Sequence, residues 1–167
     1  MILENLTKEN SYIEYKASVS QKDKILKTIC AFANNYYEND IQYIFIGIEE
    51  ENDDNNKAVP KLPIKGISEG QIENCINEIK MLRPFLYPNV SFDILQNNYM
   101  GKEYILIVVP KQVGGPFNVS DKILNNKTIK LKPGRYIRVE AETRLARIFS
   151  LNRILHQFLQ GEFLLQV

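Results

Sequence analysis

The segment from Glu9 to Glu50 constrains the fold most, because three different periodicities follow one another within it. Tyr12, Glu14 and Lys16 alternate with Ile13 and Tyr15, the period of two expected of a half-buried strand, so Glu14 and Lys16 share a face. In Ile25 to Asn35, Ile25, Ile29 and Phe32 fall beside Leu26, Cys30 and Ala33, a wide apolar stripe at helical spacing. Tyr43 to Glu50 is a β-branched and aromatic run interrupted at Gly47, as in a strand covered on both faces, and acidic residues follow at once. The segment therefore reads as strand, helix, strand, with carboxylates at its start and its end.

The rest of the chain adds short elements around this core. Ser18 or Ser20 is placed to cap the first helix, with Asp23 in its first turn. Glu51 to Leu62 is polar, acidic and bounded by proline, which predicts a loop. From Ser68 a second amphipathic helix carries Ile72, Cys75, Ile76 and Ile79 on one face and ends before Pro84. Val90 to Gln96 and Tyr104 to Val109 flank the turn cluster Asn97 to Gly101 and predict a hairpin. Gly114-Gly115-Pro116 reads as a turn, and Thr128 to Leu131 with Tyr136 to Val139 reads as a second hairpin or a bent strand pair around Lys-Pro-Gly. Glu142 to Gln160 carries Leu145, Ile148, Phe149, Leu151, Ile154, Leu155, Phe158 and Leu159, the pattern of a long helix with a broad apolar face.

With 167 residues, 44% of them apolar, the chain is large enough for one domain with a real core and too short for two. The net charge of +1 excludes binding of polyanions by bulk charge, but the distribution is uneven. Between Glu38 and Asp54 every charged residue is acidic, whereas Asp121 to Arg153 carries nine cations against three acids, which predicts an acidic end and a basic end. Cys30 and Cys75 sit on apolar phases of the two helices and read as small core residues in a reducing compartment. The start has no signal-peptide layout and no apolar run is long enough to span a bilayer, so a cytoplasmic protein is expected. There is no phosphate loop of the G-x-x-x-x-G-K-[ST] form, no G-x-G-x-x-G, no G-x-S-x-G elbow and a single histidine, His156, for which a structural role is expected.

Glu9, Glu14, Tyr15 and Lys16, then Ala31 to Asn34, then Phe45 to Glu50 together resemble the Schlafen AlbA_2 family, whose members carry E-S-x-x-x-E-F-K, an A-F-A-N helix and a strand ending in F-I-G-V-x-D. Lys65-Gly66-Ile67, Gly101 to Pro110, Pro116-Phe117 and Tyr136-Ile137-Arg138 resemble later landmarks of the family in the same order. The chain departs from that pattern with Glu50 in place of the usual Asp, and with Asn35 to Gln42 in place of a tight glycine turn. The resemblance implies an α/β (α+β) single domain like a lobe of the Schlafen core. Its mixed, mostly antiparallel sheet would be packed by two to three helices, with residues 1–141 as the domain and 142–167 as a C-terminal docking or linking helix.

Two groups of residues carry the functional expectations. The resemblance implies that Glu9, Glu14 and Glu50, with Lys16 beside them, match the nuclease site of RNA-cleaving members; converging carboxylates can hold a hard divalent ion, here Mg2+ or Mn2+. The alternative is a surface Glu–Lys pair beside a solvated acidic loop. Lys130, Lys132, Arg135, Tyr136 and Arg138 mix phosphate-contacting cations with a ring able to stack, which suits nucleic acid, unless Tyr136 packs in the core. Asn34 either caps the helix as a left-handed residue or contacts a ligand. The function expected is a DNA- or RNA-binding module, as the N-terminal part of a transcriptional regulator or of a helicase- or ATPase-like protein. The alternatives are a metal-dependent endoribonuclease and a homodimeric assembly module joined through the last helix.

Overall fold

A computed structural model describes residues 10–35, 41–120 and 131–146. Strand β1 (Ile13–Lys16), helix α1 (Lys22–Ala33) and strand β2 (Ile41–Ile46) follow the order predicted from periodicity. The two strands pair in parallel, Glu14 opposite Ile44 and Lys16 opposite Ile46, which requires the helix as a crossover between them. Neither serine caps α1. Gln21 holds the N-cap position without a side-chain bond, and the Ser18 and Ser20 hydroxyls bond each other at 2.5 Å. Asp23 lies in the first turn, as expected from the helix dipole.

The predicted third segment is divided. β2 stops at Ile46 because Gly47 turns the chain with φ 99°, and Glu50 opens a separate strand, β3 (Glu50–Asn52). β3 pairs with β4 (Ala58–Pro60), so the expected loop contains a small hairpin. Its tip is organised by Asp53, whose carboxylate accepts from the Asn55 and Lys57 amides at 2.9 and 2.8 Å, the turn chemistry that makes Asx residues turn formers.

Helix α2 (Ile72–Lys80) follows a short 3-10 turn at Glu69–Gln71 and buries Ile72 and Ile79. Strands β5 (Leu86–Tyr87), β6 (Asp93–Tyr99) and β7 (Lys102–Pro110) come next, and β6 and β7 form the hairpin expected around Asn97 to Gly101. Met100 and Gly101 form its two-residue turn, both with positive φ (49° and 79°), the backbone twist that matches two antiparallel strands. The main sheet runs β1-β2-β7-β6, one parallel pair and two antiparallel ones. Strand β8 (Asn118–Val119) pairs with β5.

At the C-terminal side the structure differs from the sequence reading at Glu142. Strand β9 (Tyr136–Val139) pairs with β10 (Glu142–Leu145); of the expected partner Thr128 to Leu131, residues 128–130 lie outside the described residues. Glu142 therefore begins a strand, not a helix. A two-residue turn at Glu140-Ala141, with Glu140 at φ 54°, returns the chain onto β9, and ladder pairing overrides the apolar helical pattern there. The remainder of the expected last helix, His156 included, lies outside the described residues.

The sheet is apolar on both sides. One face packs Ile44, Ile46, Ile105 and Ile107 against the α1 stripe and α2, a core that also includes Phe92 and Phe117. The other carries Tyr15, Phe45, Tyr104 and Leu106, with Tyr15 stacked on Phe45 at 5.2 Å between ring centres. β9 and β10 lie on α1. Among the described residues no helix is long and apolar enough to cross a membrane.

Candidate functional site

β1 and β2 end side by side, and the carboxyl end of a parallel strand pair is where open α/β sheets leave a crevice. Here that crevice is a small cleft of about 290 Å³ lined by Lys16, Ala17, Gln21, Lys24, Glu49 and Glu50. The alternation of β1 puts Glu14 and Lys16 on one face, and the turn at Gly47 brings Glu50 back to meet them. The Lys16 ammonium lies 2.5 Å from Glu14 Oε1 and 3.0 Å from Glu50 Oε1, and it donates to the Tyr15 carbonyl at 2.5 Å. The side chains of Lys16 and Glu14 are 7% and 9% exposed, whereas that of Glu50 is 36% exposed and opens the cluster to solvent.

A fourth residue completes it from the far end of the described chain. Arg138, on β9, places Nη1 2.5 Å from Glu14 Oε2, and its side chain is 1% exposed. The same guanidinium donates to the Asn10 carbonyl from Nε and Nη2 at 3.1 and 2.9 Å and to Thr143 Oγ1 at 3.0 Å, and it lies over the Phe32 ring at 5.5 Å. Two carboxylates and two cations thus share one largely buried site.

Of the four residues expected to carry chemistry, Glu14, Lys16 and Glu50 are brought together, and Glu9 lies outside the described residues. The described donors do not fit a divalent-ion cage. Both Glu14 oxygens face cations, and the Lys16 ammonium occupies the position between Glu14 and Glu50 that a metal would need. Among the described residues no three His, Cys, Asp or Glu side chains converge on one point.

The second expected group is dispersed. Tyr136 is 5% exposed, its hydroxyl donating to the Lys132 carbonyl at 2.7 Å, so its ring packs in the core rather than stacking on a ligand. Arg138 is the buried partner of Glu14 and is not available to phosphate. The register explains both, since β9 lies against α1. Arg135 donates from Nε to Asn118 Oδ1 at 3.1 Å, Lys132 is exposed, and Lys130 lies outside the described residues.

Asn34 holds the C-cap position of α1, but not in the left-handed conformation expected of such a cap. Its φ is −93°, and its side chain is a buried cross-link. Nδ2 donates to the carbonyls of Cys30, Phe117 and Tyr136 at 3.0, 2.8 and 3.0 Å, and Oδ1 accepts from the Phe117 amide at 2.9 Å. Beside it, burial pushes the Cys30 thiol up to about 12. Cys75 is a free, partly buried cysteine, so both cysteines remain thiols.

The acidic run after β2 is answered by lysines from elsewhere. Lys65 Nζ bonds Glu49 Oε1 at 3.0 Å, and that bond, with the charges of Lys65 and Lys61, holds the Glu49 carboxyl below its usual range. Beyond Ala17 and Lys65 a larger groove of about 790 Å³ opens between the β1–α1 loop, α2 and the β6–β7 turn. No sequence signal marks Arg138 as a partner of Glu14, because neither residue's local pattern refers to the other.

The protein-family model described as "Schlafen, AlbA_2" matches residues 9–147. Among curated proteins none matches the chain. Among solved structures the fold is similar to the N-terminal domain of a RecG-related ATP-dependent DNA helicase protein from Nitrosomonas europaea, with 17% identity and a TM-score of 0.51 over 78% of this chain and 90% of that one. A protein from Corynebacterium diphtheriae is similar at 13% identity and a TM-score of 0.49 over 81% of this chain and 22% of that one. The order of motifs from Glu14 to Arg138 and the matched span of residues 9–147 agree, and the chain belongs to the Schlafen AlbA_2 family.

Proposed function

We propose that the chain is a nucleic-acid-binding module whose contact surface is centred on the Lys16 cleft. The observation that carries this reading is the meeting of Lys16, Glu14 and Glu50 at the open end of β1 and β2. Burying the charges of Lys16 and Glu14 is costly, and a fold gains little stability from such a pair that apolar residues would not supply, so its presence beside a cleft favours a role in binding or chemistry. Lys24 lines the cleft, and Lys61 and Lys65 lie beside Glu49, which gives phosphates cationic contacts around an otherwise neutral molecule. The structural relative named for a DNA helicase makes nucleic acid the first ligand to test.

The test is a gel-shift titration of labelled tRNA and single-stranded DNA at low and moderate salt, with a Lys24→Glu, Lys61→Glu, Lys65→Glu variant as control. Binding that weakens at least 10-fold in the variant, with a salt slope reduced by roughly two for three lost single-strand phosphate contacts, supports the reading. Equal affinity of variant and parent places the contact elsewhere, and absence of any shift at low salt refutes it. Metal-dependent phosphodiester cleavage at the same cleft is not favoured, since the Lys16 ammonium stands between Glu14 and Glu50 where a metal would sit, and the same substrates with added Mn2+ test it. Cut products that require both added Mn2+ and Glu14, lost in Glu14→Gln with binding retained, would establish it. Intact substrate in every arm leaves the binding module.

A further inference from the structure

We infer that Arg138 is the positioning residue of the Lys16 cleft: it holds the Glu14 carboxylate, and Glu14 in turn holds the Lys16 ammonium against Glu50. The inference rests on the reading of that cleft as the functional site. Arg138 does not line the cleft, and the side chain that links it to Lys16 is Glu14.

Three features of the structure converge on this role. The first is charge balance. Glu14 and Glu50 supply two negative charges and Lys16 one positive charge, so Arg138 makes the quartet neutral. Without it two carboxylates would compete for one ammonium, in surroundings where Glu14 and Lys16 are more than nine-tenths buried and water cannot make up the difference.

The second is geometry. A guanidinium is a rigid planar fork, and here one nitrogen faces Glu14 Oε2 while Nε and Nη2 hold the Asn10 carbonyl. The fork therefore fixes the carboxylate and the turn that leads into β1 as one unit. Asn10 secures that turn further, its Oδ1 accepting from the Tyr12 amide at 2.9 Å. Glu14 Oε1 is left facing Lys16.

The third is the origin of Arg138 on the β9–β10 hairpin, where Thr143 from β10 braces Nη1. Docking of that hairpin on α1 thus delivers the group that orients a carboxylate on β1. The cleft depends on both ends of the described chain being in place.

The test follows the accessibility of Lys16 in the full 167-residue chain and requires no nucleic acid, so the inference and the proposed function can fail separately. Reductive methylation of the native protein with peptide mass mapping compares the rate at Lys16 with that at Lys24. In the parent, Lys16 should react at least 10-fold more slowly. Arg138→Gln should raise the Lys16 rate about 10-fold while leaving Lys22 and Lys24 unchanged, and Glu14→Gln should do the same. The double variant should add nothing to either single change, since both act along one chain of contacts. A folded Arg138→Gln protein with Lys16 still protected overturns the inference, and so do additive increases in the double variant. If Arg138→Gln does not fold, Arg138→Lys decides: a faster Lys16, to which Glu14→Gln adds nothing, supports the hold of the guanidinium fork on Glu14, and Lys16 as protected as in the parent overturns it.

Discussion

Replacing Asn34 with alanine removes a side chain that joins the end of α1 to two later segments, and the cost can be worked out group by group. The amide makes three close contacts through Nδ2, to Cys30, Phe117 and Tyr136, and one through Oδ1. Two N–H hydrogens and one acceptor amount to three bonds, each contributing about 1 kcal/mol net, and leaving the buried Phe117 amide without its acceptor adds about 1 kcal/mol or more. The expected loss is about 4 kcal/mol, a large part of the roughly 5–15 kcal/mol that holds a domain folded. Urea unfolding of Asn34→Ala followed by circular dichroism should show a midpoint lowered by about 2 M, for a slope near 2 kcal/mol per M. Thermal unfolding should start roughly 8–16 °C earlier. A loss below about 1 kcal/mol with unchanged slope would refute the cross-link argument and return Asn34 to the role of a ligand contact.

The remaining predictions concern groups whose surroundings are equally explicit. An unfolded thiol releases its proton near pH ~8.5 while Cys30 in the fold holds it to about 12, so between those values the unfolded state binds fewer protons and stability falls as pH rises. Burial also raises the Tyr104 and Tyr136 hydroxyls, which act in the same direction. Cys30→Ala should flatten the decline between about pH 9 and 11 by close to one proton in urea titrations, and an unchanged slope would contradict the assignment. At Glu49 the depressed carboxyl depends first on the Lys65 hydrogen bond, so Lys65→Ala should move its titration to higher pH in carboxyl carbon NMR, and an unmoved titration would exclude Lys65 as the cause. At Gly47, φ is 99° and an added Cβ would lie 2.8 Å from Ile67 Cγ1. Gly47→Ala should therefore destabilise by about 2 kcal/mol in the same urea assay, and a neutral result would mean that the turn before β3 relaxes freely.

Several parts of the fold were legible because they depend on neighbours in sequence. The alternation of Tyr12 to Lys16 placed Glu14 and Lys16 on one face, and they meet at 2.5 Å. The stripe from Ile25 to Ala33 is buried along α1, and the turn cluster before Gly101 forms the β6–β7 hairpin. Other features were misread for a common reason. The apolar residues after Glu142 carry a helical pattern, yet Glu142–Leu145 pairs with β9, because strand choice is settled by the partner and not by the local period. Asp53 converts an acidic loop into a hairpin tip through two backbone bonds that composition cannot register. Tyr136 and Arg138 look like an exposed basic and aromatic patch in a linear reading, and both are buried by the docking of β9 on α1.

The sequence by itself determined the strand–helix–strand core, the shared face of Glu14 and Lys16 and the order of motifs that marks the family, since periodicity and motif spacing are local properties of the chain. Only the tertiary structure decided that Glu50 closes on Lys16, that Asn34 ties α1 to Phe117 and Tyr136, and that Arg138 balances Glu14 from the other end of the described chain. Buried charges and amides must find partners wherever the fold brings them, and the identity of those partners is fixed by packing across long stretches of chain.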